Sequence, residues 1–499
     1  MRYYMGVDNG GTFIKAVIFD ETGTAVGQAR EQIQLITPKP GFTERDMELL
    51  WQLNARAMRA AVEQAGVPPE QIKGVSFSGH GKGLYLWGEE KPAYNGILST
   101  DTRAVAYADK INGGPAAGAL FKKTVQKALC CQPVALLQWF RDNAPPVLER
   151  TKWIFGVKDY IRYRLTGQAF AEITDFSGSN LVNLKTRSYD DEILELLDLS
   201  AIKDKLPPLR ASTDICGTVT GEAARQTGLA EGTPCAAGMF DIDASAIAMN
   251  IVNEDYLAVI AGTWSINEFI ARQPIDDRSV MMNSIYCTPG YYLIEESSPT
   301  SASNLEWYMN TFLADFKKRC KEQGQNAYQM ADKLVESVAP EDTEVYFLPY
   351  IYGSNYNGNA KACFIGLSSY HTQAHIMRAV FEGITFCHME HIEKLLAHRP
   401  GVKAIRLAGG VTNSEIWSQM FADVTGRKVE IIRTKELGAF GAALCAAVAC
   451  GGYDNMEAAA ASLVAVEKSY TPSAACTEIY RKKYETYRRL AQLLEPLWH

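Results

Sequence analysis

Asp8-Asn9-Gly10-Gly11-Thr12, near the start of the chain, and Ala261-Gly262-Thr263-Trp264-Ser265, past its middle, carry nearly the same message. Each follows a β-rich apolar run and supplies glycine, then a hydroxyl. A strand ending in glycine lets backbone N–H groups approach an anion with no Cβ in the way, and the threonine hydroxyl adds a side-chain donor. One such loop is weak evidence, because Gly-Gly-Thr is also what an ordinary hairpin turn looks like. The recurrence predicts a duplicated chain that grips one phosphate-bearing ligand from two sides.

Around the first loop, residues 3–20 alternate apolar and polar as a hairpin does. A helix is predicted over 44–66, with Met47, Leu50, Trp51 and Leu53 at helical spacing and Gly66, Pro68 and Pro69 ending it. A strand over 72–77, a polar glycine loop over 78–83, a strand over 84–87 and helices near 133–143 and 158–165 complete an α/β pattern. A second unit begins near residue 250, with a strand over 256–261, a helix from about 301, a strand over 345–348, a long helix over 371–398 and a strand over 404–407. The stretch 233–239 runs into a helix over about 241–250, read as a bridge between the halves. The small-residue run 437–450 is too short to span a membrane and reads as a buried helix.

At 499 residues the chain needs two or more domains. A formal charge of −7 and a pI near 5.7 argue against a nucleic-acid partner, and no basic run suggests a membrane surface. Eleven cysteines, with Cys130-Cys131 adjacent and no C-x-x-C spacing, fit reduced, mostly buried thiols in the cytoplasm. The N-terminus has no leader pattern.

Several side chains stand out as candidates. Asp8 sits where a carboxylate faces a bound phosphate, which makes sense for a magnesium ligand or water holder; capping the turn is the alternative. Lys15, on the return strand, either reaches the phosphates or is solvated. In Leu407-Ala408-Gly409-Gly410-Val411-Thr412-Asn413-Ser414 the glycines let a flat ring lie on the backbone and Asn413 can bond its edge, although a strand-to-helix turn with a serine cap looks similar. Asp241 is a candidate general base for a sugar hydroxyl, with Asp243 its rival and a helix N-cap the alternative role. His80, Gly81, Lys82, Asp101 and Arg103, with Lys158-Asp159, suit a polyhydroxylated substrate or plain surface turns. The pairs His371/His375 and His388/His391 have metal-ligand spacing without the Glu of H-E-x-x-H, and are read as exposed helix residues. Neither a G-x-S-x-G elbow nor a Walker-type loop occurs.

Together, Asp-x-Gly-Gly-Thr first, Gly-Thr in mid-chain and Gly-Gly-x-x-Asn near the end, the pattern resembles the FGGY family of carbohydrate kinases over nearly the whole chain. The resemblance implies an α/β fold of two ribonuclease H-like (actin/hexokinase-type) lobes flanking a deep cleft, an N-terminal sugar-binding lobe (1–248) and a C-terminal nucleotide-binding lobe (249–499). It implies ATP and Mg2+, with Asp8 linked to the metal, Gly10, Gly11, Thr12, Gly262 and Thr263 as phosphate loops, Gly409, Gly410 and Asn413 at the adenosine, and Asp241 as the base. The segments 78–84 (SGHGKGL), 98–104 (LSTDTRA), 298–307 (SPTSASNLEW) and 347–355 (FLPYIYGSN) resemble the L-xylulose kinase subgroup. Lys82 falls where D-xylulose enzymes carry a pocket histidine, and Asp101 with Arg103 match the sugar loop. Two departures are Gly11, where many members have Thr or Ser, and Leu136, where the signature lysine near Trp139 is expected.

The implied activity is phosphorylation of a terminal primary hydroxyl, first of L-xylulose. D-xylulose, ribulose, gluconate, a keto-hexonate or a polyol are alternative substrates, and an actin-like ATPase switch is the alternative class. The expected partners are a small sugar and ATP, with a homodimer unsurprising.

Overall fold

Alternation in the first twenty residues produces the expected hairpin. The computed structural model describes residues 1–354 and 358–498. Asn355, the last residue of the 347–355 motif, therefore lies outside the described residues. Strand β1 (Tyr3–Asn9) pairs antiparallel with β2 (Phe13–Asp20), which places Asp8 opposite Lys15 and leaves Gly10, Gly11 and Thr12 as the tip. β3 (Ala25–Gln32) continues beyond β2, and β4 (Ile72–Gly79) lies parallel to β1 on the other side. With β5 (Ile215–Thr218), β6 (Pro234–Ala236) and β7 (Met239–Phe240), the sheet runs β5-β6-β4-β1-β2-β3, and β7 also pairs with β4.

Packing divides the chain into two units. The first comprises Met1–Val252, Ile270–Ile294 and Glu436–Val464, and the second Asn253–Phe269, Glu295–Lys435 and Ala465–His499. The segment 233–250, read as a bridge, belongs to the first unit, where it forms β6, β7 and the helix Asp241–Ala248. The small-residue run forms the helix Leu437–Ala449, buried as expected, but it packs on β1 and β4 of the first unit. Gly6 permits that approach, since a Cβ there would lie 1.8 Å from the Ala439 carbonyl oxygen.

In the second unit β8 (Tyr256–Ala261) pairs antiparallel with β9 (Ser265–Ala271), Ala261 facing Ser265 across the Gly262-Thr263-Trp264 tip. β10 (Ala404–Ala408) is parallel to β8, β11 (Lys428–Ile432) parallel to β10, and β12 (Val466–Tyr470) antiparallel to β11. A hairpin whose first strand is flanked by a parallel strand thus occurs in both units, as the repeated loop predicted.

The helix predicted over 44–66 begins at Met47. Asp46 ends the extended backbone by accepting the Leu49 N–H at 2.8 Å, so Glu44–Arg45 form a short strand against Gly96–Ile97. Gly66 closes the helix in a left-handed conformation. The glycine loop at 78 is shorter than predicted, because β4 runs on through Gly79. No helix among the described residues is long and apolar enough to cross a membrane.

Candidate functional site

Both hairpin tips present backbone to solvent: Gly11, Thr12 and Thr263 are exposed, while the strand residues beside them are buried or half-buried. At the first tip, Asp8 accepts a hydrogen bond from the Ser78 hydroxyl at 2.9 Å. Burial pushes the Asp8 carboxyl above its usual range, against the pull of Ser78 and of the Lys15 charge. Lys15 is part-exposed and paired, its ammonium holding the Glu436 carboxylate at 2.7 Å. Gly438 completes the arrangement, since a Cβ there would sit 2.7 Å from the Asp8 carboxyl carbon. Two carboxylates beside a glycine loop, one of them destabilised by burial, supply the hard oxygen donors that Mg2+ takes, so the residues fit that ion.

Arg45 was missed by the sequence reading. It is fully buried, and its Nη2 donates to the Gly11 carbonyl at 3.0 Å from behind the tip. Its charge, after burial itself, helps hold the His80 pKa down at about 3, so the imidazole is neutral and shares a 2.9 Å hydrogen bond with the Tyr85 hydroxyl. Gly81 lies against the Phe240 ring, where a Cβ would come within 2.2 Å. Lys82 adopts a left-handed φ of 65° and places its ammonium 6.0 Å from the centre of that ring.

Asp101 and Arg103 are locked together. The Asp101 carboxylate is fully buried and accepts from the Thr43 N–H, the Arg103 N–H and the Arg103 guanidinium. That guanidinium also reaches Glu44 at 2.6 Å and lies 4.0 Å from the Phe42 ring centre. Lys158 and Asp159, grouped in the sequence with the polar residues suited to a sugar or to surface turns, are buried: Lys158 lies among Asp159, Glu172 and Asp175, and Asp159 pairs with Arg162. Burial raises Asp175 to about 6 in spite of Lys158. This knot sets the next candidate, because Thr174 donates to Glu172 while accepting the Phe240 N–H at 2.9 Å.

Asp241 follows Phe240 directly as the first helical residue, not the N-cap, and is half-buried. Asp243, its rival, is fully buried, accepts the Cys287 N–H at 2.9 Å and is pushed well above the usual carboxylate range by burial. The two residues that the sequence left open thus differ in exposure, Asp241 half-buried and Asp243 sealed.

In the second unit a cavity of about 600 Å³ brings together Gly262, Thr263, Gly410 and Asn413 with Asp332 and Trp417. Gly409 supports it from behind: at φ 94° and ψ −175°, a Cβ would lie 2.3 Å from the Ala261 carbonyl oxygen. Gly262 and Gly410 have open space where a Cβ would be. Ser414 does cap the helix Glu415–Thr425, accepting the Trp417 N–H at 3.2 Å, and its hydroxyl also donates to Asp332 at 2.7 Å. The cap and the cavity wall coexist in one segment. Nothing in the sequence pointed to Asp332, which stands on the separate helix Ala327–Glu336.

None of the four histidines is the exposed helix residue expected: His371 is half-buried and precedes the helix Gln373–His398. His375, His388 and His391 are buried. His388 is held by Ser265 and Ser301, His391 by Glu296, and His375 closes a capping box with Thr372. The helix Gln373–His398 is covered along most of its length, so its polar side chains find partners inside.

Comparison with known proteins decides the family. The FGGY family of carbohydrate kinases matches residues 3–248 with its N-terminal domain and 257–450 with its C-terminal domain. The chain belongs to the FGGY family of carbohydrate kinases. This FGGY kinase is 37% identical, over 100% of both chains, to a protein of Pasteurella multocida named probable L-xylulose kinase. It is 34% identical to the Escherichia coli L-xylulose/3-keto-L-gulonate kinase, over 99% of this chain and 97% of that one. Its fold is similar to the solved structures of a ligand-bound xylulose kinase from Lactobacillus acidophilus (TM-score 0.91, 24% identity, 100% and 99% covered) and a Plasmodium falciparum glycerol kinase with ADP (TM-score 0.85, 18%, 99% and 98%). The two sheets are thus those of the ribonuclease H-like, actin/hexokinase-type fold of FGGY kinases.

Proposed function

We propose that this FGGY kinase transfers the γ-phosphoryl group of ATP to the terminal primary hydroxyl of L-xylulose, giving L-xylulose 5-phosphate and ADP. The observation that carries the substrate is the end-to-end match to relatives named for L-xylulose. The geometry supports the chemistry. Asp241, half-buried at a helix start and fixed by the Glu172–Thr174–Phe240 relay, accepts the hydroxyl proton as the oxygen attacks. Backbone N–H groups and hydroxyls of Gly10, Gly11, Thr12, Gly262 and Thr263 receive the phosphates, with Lys15 beside them. Gly409 and Gly410 give the adenosine a flat floor and Asn413 bonds its edge. The first unit carries the sugar and the second the adenosine, with 270–294 and 436–464 in the first unit and not in a C-terminal lobe 249–499.

Asp8 and Glu436 would hold Mg2+, which when bound neutralises phosphate charge. In the sugar site Lys82 and the Gly81 backbone face the substrate, while His80, Asp101 and Arg103 hold the two loops at the right separation. All eleven cysteines are free thiols, which agrees with a cytoplasmic enzyme.

A keto-hexonate is the second reading, favoured by the double name of the Escherichia coli relative. A coupled ADP-release assay over pentuloses, polyols and sugar acids tests both. Highest kcat/KM with L-xylulose is expected. A keto-hexonate that outruns it by tenfold reverses the order, and no ADP release with any sugar overturns the proposal.

A further inference from the structure

The turn that leads into the helix Pro133–Asn143 carries two thiols, Cys130 and Cys131, on consecutive residues. Their side chains act on each other, drawing the Cys130 thiol down to about 7 and pushing that of Cys131 up. Cys130 is half-buried and so reachable from solvent, while Cys131 behind it is 6% exposed. The turn is rigid: Gln132 accepts the Leu129 N–H at 2.7 Å and donates to Gln126 at 2.8 Å and to the Gly178 carbonyl at 2.7 Å. The backbone that carries the two consecutive thiols is therefore fixed before anything binds.

Both residues also touch the loops proposed to hold the sugar. The Gly83 N–H donates to the Cys131 carbonyl at 2.6 Å, directly after Lys82, whose charge the Cys131 thiol feels. The Cys130 thiol lies 3.6 Å from the Asp101 carbonyl. A group that ties the two sulfurs together therefore acts on a turn that both loops touch. No other two cysteines are consecutive in the sequence, and Cys216 and Cys235, which act on each other, are both fully buried.

We propose that Cys130 and Cys131 form a chelating dithiol site for trivalent arsenicals, and that filling it loosens the loops carrying Lys82 and Asp101. In the condensation, the two S–H protons leave with the arsenical oxygen as water and two As–S bonds form. Arsenic stays trivalent, so neither oxidant nor reductant enters. The adduct stands on the dithiol alone; the effect on sugar rests on the functional reading above.

Phenylarsine oxide is the probe, applied to the full chain and to Cys130→Ser, with Cys130→Ala as a second variant should the first fail to fold. One phenylarsine group per chain is expected on the peptide holding residues 130–131. It should raise KM for L-xylulose at least fivefold and leave the ATP dissociation constant within twofold. Removal by 2,3-dimercaptopropanol but not by 2-mercaptoethanol marks a dithiol adduct. Cys130→Ser should keep its turnover and lose both adduct and inhibition. An equal adduct in Cys130→Ser, or one mapped to another cysteine, overturns the site. An adduct at 130–131 with KM unchanged overturns the coupling. Should no sugar be phosphorylated by any form, the functional reading fails while the mass result is still decided.

Discussion

The two hairpin tips share a backbone and differ in what stands behind it. Gly10–Thr12 is backed by charge: Asp8 with Ser78, Lys15 with Glu436, and the buried Arg45 on the Gly11 carbonyl. Gly262–Thr263 is backed by shape, with apolar Ala261 at the strand end, Gly409 pressed against its carbonyl, and a cavity walled in part by Phe381 and Trp417, whose rings stack at 4.2 Å. Charge that can meet a metal or a reacting proton is gathered in one unit, and room for a flat ring in the other. The same glycine turn occurs in both units, and side chains brought from distant parts of each unit surround the two copies differently.

That division breaks most sharply at Asp241. If chemistry belongs to the first unit and nucleotide binding mainly to the second, Asp241→Asn lowers kcat by roughly 10² to 10⁴, while ATP affinity changes less than threefold. Single-turnover ADP release and an equilibrium titration measure the two. Near-normal turnover in the variant would place the base elsewhere and dissolve the contrast.

Within the second unit the adjacent glycines should behave oppositely. Gly409→Ala forces a Cβ to 2.3 Å from the Ala261 oxygen in a backbone region that is essentially glycine-only. The backbone term alone is about 1–3 kcal/mol, so the thermal midpoint should fall clearly. Gly410→Ala meets nothing within 4 Å, so stability should hold within about 0.5 kcal/mol. Nucleotide affinity should nonetheless drop, because the methyl group occupies the floor proposed for the adenosine. Equal melting of the two variants would show that Gly409 is not a packing requirement.

How far the sequence exposed this division follows from the range of each interaction. Hairpins, glycine turns and the Asp241 helix are local, set by alternation, capping and conformation, and they emerge from residues within a turn or two of each other. The side chains behind the tips are not local. Glu436 meets Lys15 across 421 residues, and Asp332 meets Ser414 across 82. Arg45 was hidden for another reason: helical spacing of apolar residues ran the predicted helix through it, while the Asp46 cap makes it a strand residue facing inward. His388 and His391 were misjudged because a polar residue on a long helix reads as exposed until the packing on all its sides is known.

Arg45 sharpens the charged side of the comparison. Arg45→Lys keeps the cation and loses the Nη2 hydrogen bond to Gly11. A hydrogen bond from a charged donor contributes about 1.5–3 kcal/mol, so kcat/KM for ATP should fall about tenfold or more. ADP affinity should barely change if the tip acts mainly on the terminal phosphate. A variant that loses ADP and ATP affinity in equal measure would make Arg45 a general support of the fold.

The smallest effect is expected at Ser414, where one hydroxyl caps a helix and braces a cavity wall. Ser414→Ala removes the acceptor for the Trp417 N–H and the donor to Asp332. Loss of the cap costs about 0.5–2 kcal/mol, visible as a modest drop in the thermal midpoint. The second loss is electrostatic: burial already raises the Asp332 carboxyl, and the Ser414 hydrogen bond is what opposes that rise. Without it the Asp332 pKa moves further up, so its proton is retained to higher pH in the variant. If Asp332 meets the bound nucleotide as a carboxylate, the pH below which ATP affinity declines should shift upward in Ser414→Ala, whereas a pure capping role predicts lower stability and an unshifted affinity profile. Shape alone would then explain the second tip, and the contrast with the first would be complete.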